Sequence, residues 1–330
     1  MTQTAFKTGP TNSLIDIAGL KVGHAHDARV KTGVSVIIPN QPARCAVDIR
    51  GGGPGTRETD TLQDGGLIEH VHGICLSGGS VYGLAAADSV CRFLGAKNIG
   101  YAPGPKPIPV SPIVPSAILF DNANGGDKAW GVEPPFGDLG FRACENLASN
   151  CPEGAVGAGF GATAGLYAGG LGTASEIVGN TVVAALIAAN PIGSPFMPAS
   201  DCPWAWPYEV NGEFGGKRPP ADYQLTPPSD TKLALLKARQ NPLAQSTVIG
   251  VIGTNAALSQ KQLKRLAIMG QDGITMSVRP AHTPLDGDTL FALSTGDIDC
   301  QSPVELAGLG AAAARCVARA LMRGVYFANN

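Results

Sequence analysis

The chain is 330 residues long, 44% hydrophobic and only 15% charged, with a formal net charge of −2. That is enough material for one large α/β domain or two small ones. No Lys/Arg block supplies the basic stripe that a nucleic-acid binder needs, and every apolar stretch long enough to span a bilayer is broken by Gly, Pro or polar residues.

The 44 glycines are about twice ordinary usage and follow no Gly-X-Y period, so they read as tight turns and places of close backbone approach. The eight cysteines are dispersed without CxxC spacing, and the opening MTQTAFKTGPTNS has no signal-peptide pattern; a reducing, cytoplasmic setting is expected. Sparse charge also favours subunit interfaces, and hence an oligomer.

Residues 12–50 read as short strands (SLIDIAGLKVGHAHD, TGVSVIIP and ARCAVDIR), followed by a glycine loop at 51–55. GLIEHVHGICLSGGS leads to a turn, and SVYGLAAADSVCRFLGA reads as a helix with Ser80 as N-cap and Gly95 near its end. PIPVSPIVPSAILFD is Pro-broken and then extended, and GDLGFRACENLASN is helical. Residues 154–175 are dominated by Gly and Ala, and EIVGNTVVAALIAANPIGSP reads as one apolar strand ending at Asn190-Pro191. Residues 194–230, rich in Pro, Trp, Asp and Gly, form a long loop, of the length that usually carries function. A short helix, SDTKLALLKARQN, precedes the β-rich run STVIGVIG. Ser259 and Gln262 then make a capping box. GITMSVRPAH and DTLFALSTG read as an antiparallel pair, and an Ala-rich helix, PVELAGLGAAAARCVARALMRG, closes the chain. Strands and helices mix without regular βαβ alternation, which favours α+β layers over a doubly wound parallel sheet.

Several motifs point to chemistry and fail its requirements. GAGFGATAG at 157–165 gives G-x-G-x-G, and a poor helix follows it, so no dinucleotide site is expected. GGGPGT lacks the Lys-Ser/Thr of a P-loop. His24-x-His26 and His70-x-His72 each place two imidazoles on one strand face, but no Cys or carboxylate is spaced to complete a zinc signature, and they read as structural histidines. Ser77 and Ser80 lie in a glycine-rich turn that is no nucleophile elbow. Gly253-Thr254 remains. If the bond between them is cut, Thr254 gains a free α-amine, of pKa about 8, beside its own hydroxyl, and that amine can take the hydroxyl proton. On this motif alone a turn or cap is the commoner role.

Six stretches in order alter that balance: GLKVGHAHD, LSGGSVYGLAAADSV, GATAG with GGLGTAS, NTVVAALIAANPIG, IGTNAALSQKQLKRLA and DGDTLFALSTG. Together they make nearly the whole chain resemble the DmpA family of self-processing aminopeptidases and amidases, which includes nylon-oligomer hydrolases and β-peptidyl aminopeptidases. The resemblance implies an αββα four-layer sandwich akin to Ntn hydrolases. It also implies a single domain over 1–330 that cuts itself before a Ser or Thr, and a homotetramer of processed protomers acting on short peptides or ω-amino-acid oligomers. The matching cut is Gly253–Thr254, giving fragments 1–253 and 254–330. Asp286 and Asp288 match the acidic pair that partners the nucleophile, with their i, i+2 spacing putting both on one side of an extended segment. Asn190 matches an asparagine able to donate to an oxyanion. No cofactor or metal is implied. Two departures stand out: Ala168 where many relatives carry lysine, and Phe120 where peptidase members carry tyrosine. An acyltransferase of the ornithine-acetyltransferase type and a catalytically inactive relative are the alternatives.

Overall fold

The computed structural model describes residues 6–63, 65–239 and 246–330. The strands are Leu20–Asp27 (β1), Thr32–Pro39 (β2), Ala43–Ile49 (β3), Thr56–Arg57 (β4), His70–Val71 (β5), Ile74–Ser77 (β6), Ser116–Ile118 (β7), Thr163–Ala164 (β8), Tyr167–Ala168 (β9), Gly170–Val178 (β10), Thr181–Asn190 (β11), Thr247–Ala257 (β12) and Thr289–Asp299 (β13). The helices are Ala86–Ala96 (α1), Phe136–Glu145 (α2), Lys232–Arg239 (α3), Gln260–Gly270 (α4), Asp272–Ser277 (α5) and Pro303–Asn329 (α6).

Two sheets stack face to face. One runs β1-β2-β6-β7-β4 and the other β10-β11-β12-β13-β3-β5. Alternation along β12 shows how the sequence builds the layers. Ile249 and Val251 face the core between the sheets, with Ile37, Leu76, Leu186 and Phe291. Val248 and Ile252 face a second core with α4, α5 and α6. A third core packs α1 and α2 on the outer face of the first sheet, around Val36, Val90, Phe136 and Leu139. Three cores separate four layers, so the architecture is the αββα sandwich that the resemblance implied.

Local differences from the sequence reading have physical causes. The apolar run 176–195 is a hairpin: β10 and β11 pair antiparallel across a turn at Gly179, whose φ of +62° suits glycine. GITMS is helical, as α5, with Ile274 turned into the helix-side core. β13 therefore pairs parallel with β12 across an α4–α5 crossover, and antiparallel with β3. Ser80 is not an N-cap: it sits at φ +55° in a 3-10 turn, and its N–H donates to Leu119 O. The Ser259–Gln262 capping box forms as read. Residues 194–230 hold no strand or α-helix, only a 3-10 turn at Trp206–Tyr208. No helix among the described residues is long and apolar enough to cross a membrane.

The glycines at the start of β10 let α6 lie directly on the sheet. A Cβ on Gly172 would overlap Ala320 O and Gly324 N, and one on Gly170 would overlap Gly324 O. Backbone atoms cannot swing aside as a flexible side chain can. Gly172→Ala is therefore expected to destabilise the protein by at least about 1–3 kcal/mol, the cost of forced overpacking. Urea unfolding of the two proteins side by side would detect this as a lower midpoint.

Candidate active site

Parallel pairing of β12 and β13 brings the starts of both strands together. Ser246, just ahead of β12, bridges to Asp286 in parallel register. Its N–H donates to Leu285 O at 3.0 Å, and its carbonyl accepts from Gly287 N at 2.8 Å. On the other flank, antiparallel pairing places Asn190, the last residue of β11, opposite Thr247. Ser246, Asn190, Asp286 and Asp288 are all buried.

The acidic pair is held by backbone donors. Asp286 accepts from Ile192 N at 3.2 Å and from both N and Oγ1 of Thr283, at 2.9 and 2.7 Å. Burial, and then the neighbouring Asp288 carboxylate, raise its pKa above the usual carboxylate value, against those hydrogen bonds. Asp288 accepts from Val248 N at 2.8 Å, tying β13 to the start of β12, and pairs with His282 Nδ1 at 2.8 Å. The glycine loop at 51–53 wraps this turn: Cβ atoms on Gly51 and Gly52 would collide with the backbone of Asp286 and Pro284.

Lys232, the first residue of α3, completes the cluster. Its Nζ donates to Asn190 O at 3.2 Å, Asn190 Oδ1 at 3.1 Å and Ser246 Oγ at 3.2 Å. Burial of the ammonium lowers its pKa from 10.5 to about 7, even though Asp286 opposes the shift. Asn190 is fixed on both ends: Nδ2 donates to Phe120 O at 2.8 Å, and Oδ1 accepts from Thr163 N at 2.9 Å. Phe120 thus borders the site through its backbone. Ala168, where a lysine was expected, lies exposed on the β8–β9 hairpin, bonded to Asn329.

Three of the residues singled out in the sequence are brought together: Asn190, Asp286 and Asp288. Gly253 and Thr254 are not among them. Thr254 pairs with Val183 at the far end of the β11–β12 ladder. Seven residues of strand separate it from Thr247, roughly 23 Å at strand rise. Its hydroxyl donates to Val182 O and accepts from Ala256 N where the β12–β13 register shifts, so it closes a bulge. Gly253 is glycine because a Cβ there would press on Leu14, Ile17 and Leu20 at 2.9–3.3 Å. The sequence reading did not single out Ser246, Lys232 or His282, which the fold places in this cluster. The available signal was a Ser-Thr pair at a strand start, the end that a parallel neighbour brings level with Asp286.

The histidines of the two His-x-His pairs do structural work: His24 Nδ1 bonds Ser35 Oγ, His26 stacks on Phe160, and His72 Nδ1 accepts from Ile113 N. Among the described residues no group of three or more His, Cys, Asp or Glu is placed to hold a metal.

A buried serine hydroxyl against a desolvated amine, flanked by two carboxylates and an amide in an αββα sandwich, is the equipment of an amide-bond hydrolase. Residues 12–330 match the model of peptidase family S58, and the chain belongs to that family. It is 40% identical to an uncharacterized aminopeptidase of Mycobacterium tuberculosis, over 95% of this chain and 93% of the relative. It is 30% identical to a 6-aminohexanoate-oligomer endohydrolase of Kocuria sp., over 88% of this chain and 77% of the relative. Among solved structures, the L-aminopeptidase D-Ala-esterase/amidase of Ochrobactrum anthropi, described as a prototype serine aminopeptidase with a variant Ntn-hydrolase fold, superposes with a TM-score of 0.70. Identity there is 22%, over 97% of this chain and 87% of that one. A Burkholderia β-aminopeptidase gives 0.69 at 19% identity, over 97% and 88%.

Proposed function

We propose that this hydrolase cuts its own chain before Ser246 and then uses Ser246 as an N-terminal nucleophile on short amide substrates. The observation that carries the reading is the position of Ser246: level with Asp286 at the parallel strand starts, with its Oγ 3.2 Å from Lys232 Nζ. Thr254 has no titratable partner of that kind; both bonds of its hydroxyl are to backbone.

After the cut, the Ser246 α-amine takes the Oγ proton as Oγ attacks the substrate carbonyl, and returns it to the leaving amine. Leu285 O, already bonded to this nitrogen, anchors the amine. The carboxylates of Asp286 and Asp288 hold the turn that carries it and set its electrostatics. Asn190 Nδ2 keeps one hydrogen beyond its bond to Phe120 O, and that hydrogen is the candidate oxyanion donor. In the uncut chain Ser246 is only 1% exposed, so substrate access has to follow processing.

The substrates in this reading are peptides with a free amino terminus first, as the name of the mycobacterial relative suggests, and ω-amino-acid oligomers second. The test is a panel of aminoacyl-p-nitroanilides and 6-aminohexanoate oligomers incubated with purified protein. Free acid released without any acceptor amine is the expected result. Dependence on an added acceptor amine would instead mark an acyltransferase, and no turnover of any amide would sink the reading.

A further inference from the structure

Two consecutive residues clamp the acidic pair, each with its backbone N–H and its side chain. His282 gives Asp288 Oδ2 its N–H at 3.1 Å and bonds it through Nδ1 at 2.8 Å. Thr283 gives Asp286 Oδ2 its N–H at 2.9 Å and its hydroxyl at 2.7 Å. Resting on the hydrolase reading above, though not on which side chain is its nucleophile, we infer that His282 is a positioning residue of the site: it fixes Asp288 as the carboxylate and leaves Asp286 as the carboxyl that takes up a proton.

The two clamps differ in what they allow. A hydroxyl donates to a carboxylate or accepts from a carboxylic acid, so Thr283 suits Asp286 in either form. A neutral imidazole carries one ring proton, placed by its partners. His282 Nε2 is buried and meets no acceptor among the described residues, so the proton belongs on Nδ1, facing Asp288. Moving it to Nε2 would bury an unsatisfied N–H. Asp288 is thus met by three groups that only donate: His282 N–H, His282 Nδ1–H and, on Oδ1, Val248 N–H at 2.8 Å. Two buried carboxyls this close do not both ionise freely. The cost falls on Asp286, whose pKa is raised by burial first and then by the Asp288 charge. A fixed anion beside a proton-exchanging acid is what acid–base chemistry on an amide needs.

The backbone at His282 points the same way. Its φ is +54°, in the left-handed region that a histidine seldom enters. Residues held there by their surroundings cluster at functional sites, and here the pair of hydrogen bonds to Asp288 Oδ2 does the holding. The charged neighbours leave the imidazole to Asp288. Arg50 donates its N–H to Asp288 O and turns its guanidinium to Asp48. Arg279 lies over the Trp204 ring, and Asp230 accepts from the Tyr167 and Ser194 hydroxyls. Lys232, at the start of α3, faces the pair from the Asp286 side.

The experiment compares wild type, His282→Asn and His282→Gly in steady-state turnover of alanyl-p-nitroanilide, or of whichever amide of the panel above the wild type cleaves, down through acid pH. Thermal melts check that each variant is folded. Both replacements accept a positive φ, so backbone strain does not separate them. Asparagine Nδ2 stands one bond from Cγ, as histidine Nδ1 does, and still donates; glycine removes the donor. In His282→Gly, kcat is expected to fall by about 10–100-fold, the rate equivalent of one hydrogen bond to a charged group, with KM nearly unchanged. The acid limb of its kcat/KM profile, which belongs to the pair, should move up by about one pH unit, because losing a donor disfavours the charged carboxylate. His282→Asn should keep the limb in place and recover most of kcat. An unmoved limb in folded His282→Gly overturns the role whatever its kcat, and so does an Asn variant as impaired as the Gly one. If the glycine chain does not fold, the asparagine chain decides: near wild-type kcat and limb support the role, and a lost kcat with a shifted limb overturns it. A wild type that cleaves no amide of the panel fails the hydrolase reading itself, and the division of labour in the acidic pair with it.

Discussion

Ser246→Ala will leave the chain in one piece and reduce amide turnover by about 10³-fold or more, because a nucleophile acts as a unit with its base. Thr254→Ala will still be cut. The two variants separate the two ends of β12 as sites of chemistry. Removing the Thr254 hydroxyl takes a donor from Val182 O on β11 and an acceptor from Ala256 N at the bulge. That should cost about 1–3 kcal/mol of stability and leave the Ser246–Lys232–Asn190 cluster untouched. Intact mass reads the outcome directly, since a cut before Ser246 releases 246–330 and a cut before Thr254 releases 254–330. A 254–330 fragment in the wild type, lost in Thr254→Ala, would return the chemistry to the far end of the strand.

The layers were legible because each strand carries its own period. Alternation in STVIGVIG and the apolar faces of 86–96 and 303–329 fix which side each element buries, whatever their order. Asn190, Asp286 and Asp288 were legible for a different reason: the resemblance placed them by motif. What failed was strand direction. Reading GITMSVRPAH as a strand made DTLFALSTG its antiparallel partner and left no link between the start of β13 and the start of β12. With α5 helical, β12-α4-α5-β13 becomes a parallel crossover, and parallel strands put their starts side by side. Asp286, at one start, then lies beside Ser246, just ahead of the other. Gly253-Thr254 drew attention because a glycine inside a strand needs a reason. The reason is packing against Leu14, Ile17 and Leu20, three residues more than two hundred positions away in sequence. Lys232 was unreadable on similar grounds. It belongs to an unremarkable helix start, and only the fold brings its ammonium against Asn190 and Ser246.

Arg319→Met will destabilise the protein by about 3–5 kcal/mol, the cost of leaving a buried charge without its partner. Arg319 lies on α6 and is fully buried. Its guanidinium pairs with both oxygens of Glu213 and donates to Ser175 O at 3.0 Å and Asn12 Oδ1 at 2.8 Å. Glu213 also accepts from Arg323 and Asn12. Burial alone would raise the Glu213 pKa, but Arg319 first, and then Arg323 and Asn12, hold it below 4.5. A depressed carboxylate stabilises the fold above its unfolded pKa, and that contribution is lost as pH falls through the folded value. The wild type should therefore weaken below about pH 4.5, and Arg319→Met should flatten that dependence. Arg319→Met with Glu213→Leu should recover much of the loss, because neither charge is then stranded and Arg323 keeps Glu153. Urea unfolding on the Ser246→Ala background keeps the chain uncut and the comparison clean. The network also bears on the mature enzyme. Under a cut at Ser246, Arg319 belongs to the smaller fragment, and Asn12, Ser175 and Glu213 to the larger. Size-exclusion chromatography of processed Arg319→Met should show fragments that separate in milder urea than the wild-type pair; equal retention of the two proteins would place the glue between fragments in the β11–β12 and β13–β3 ladders instead.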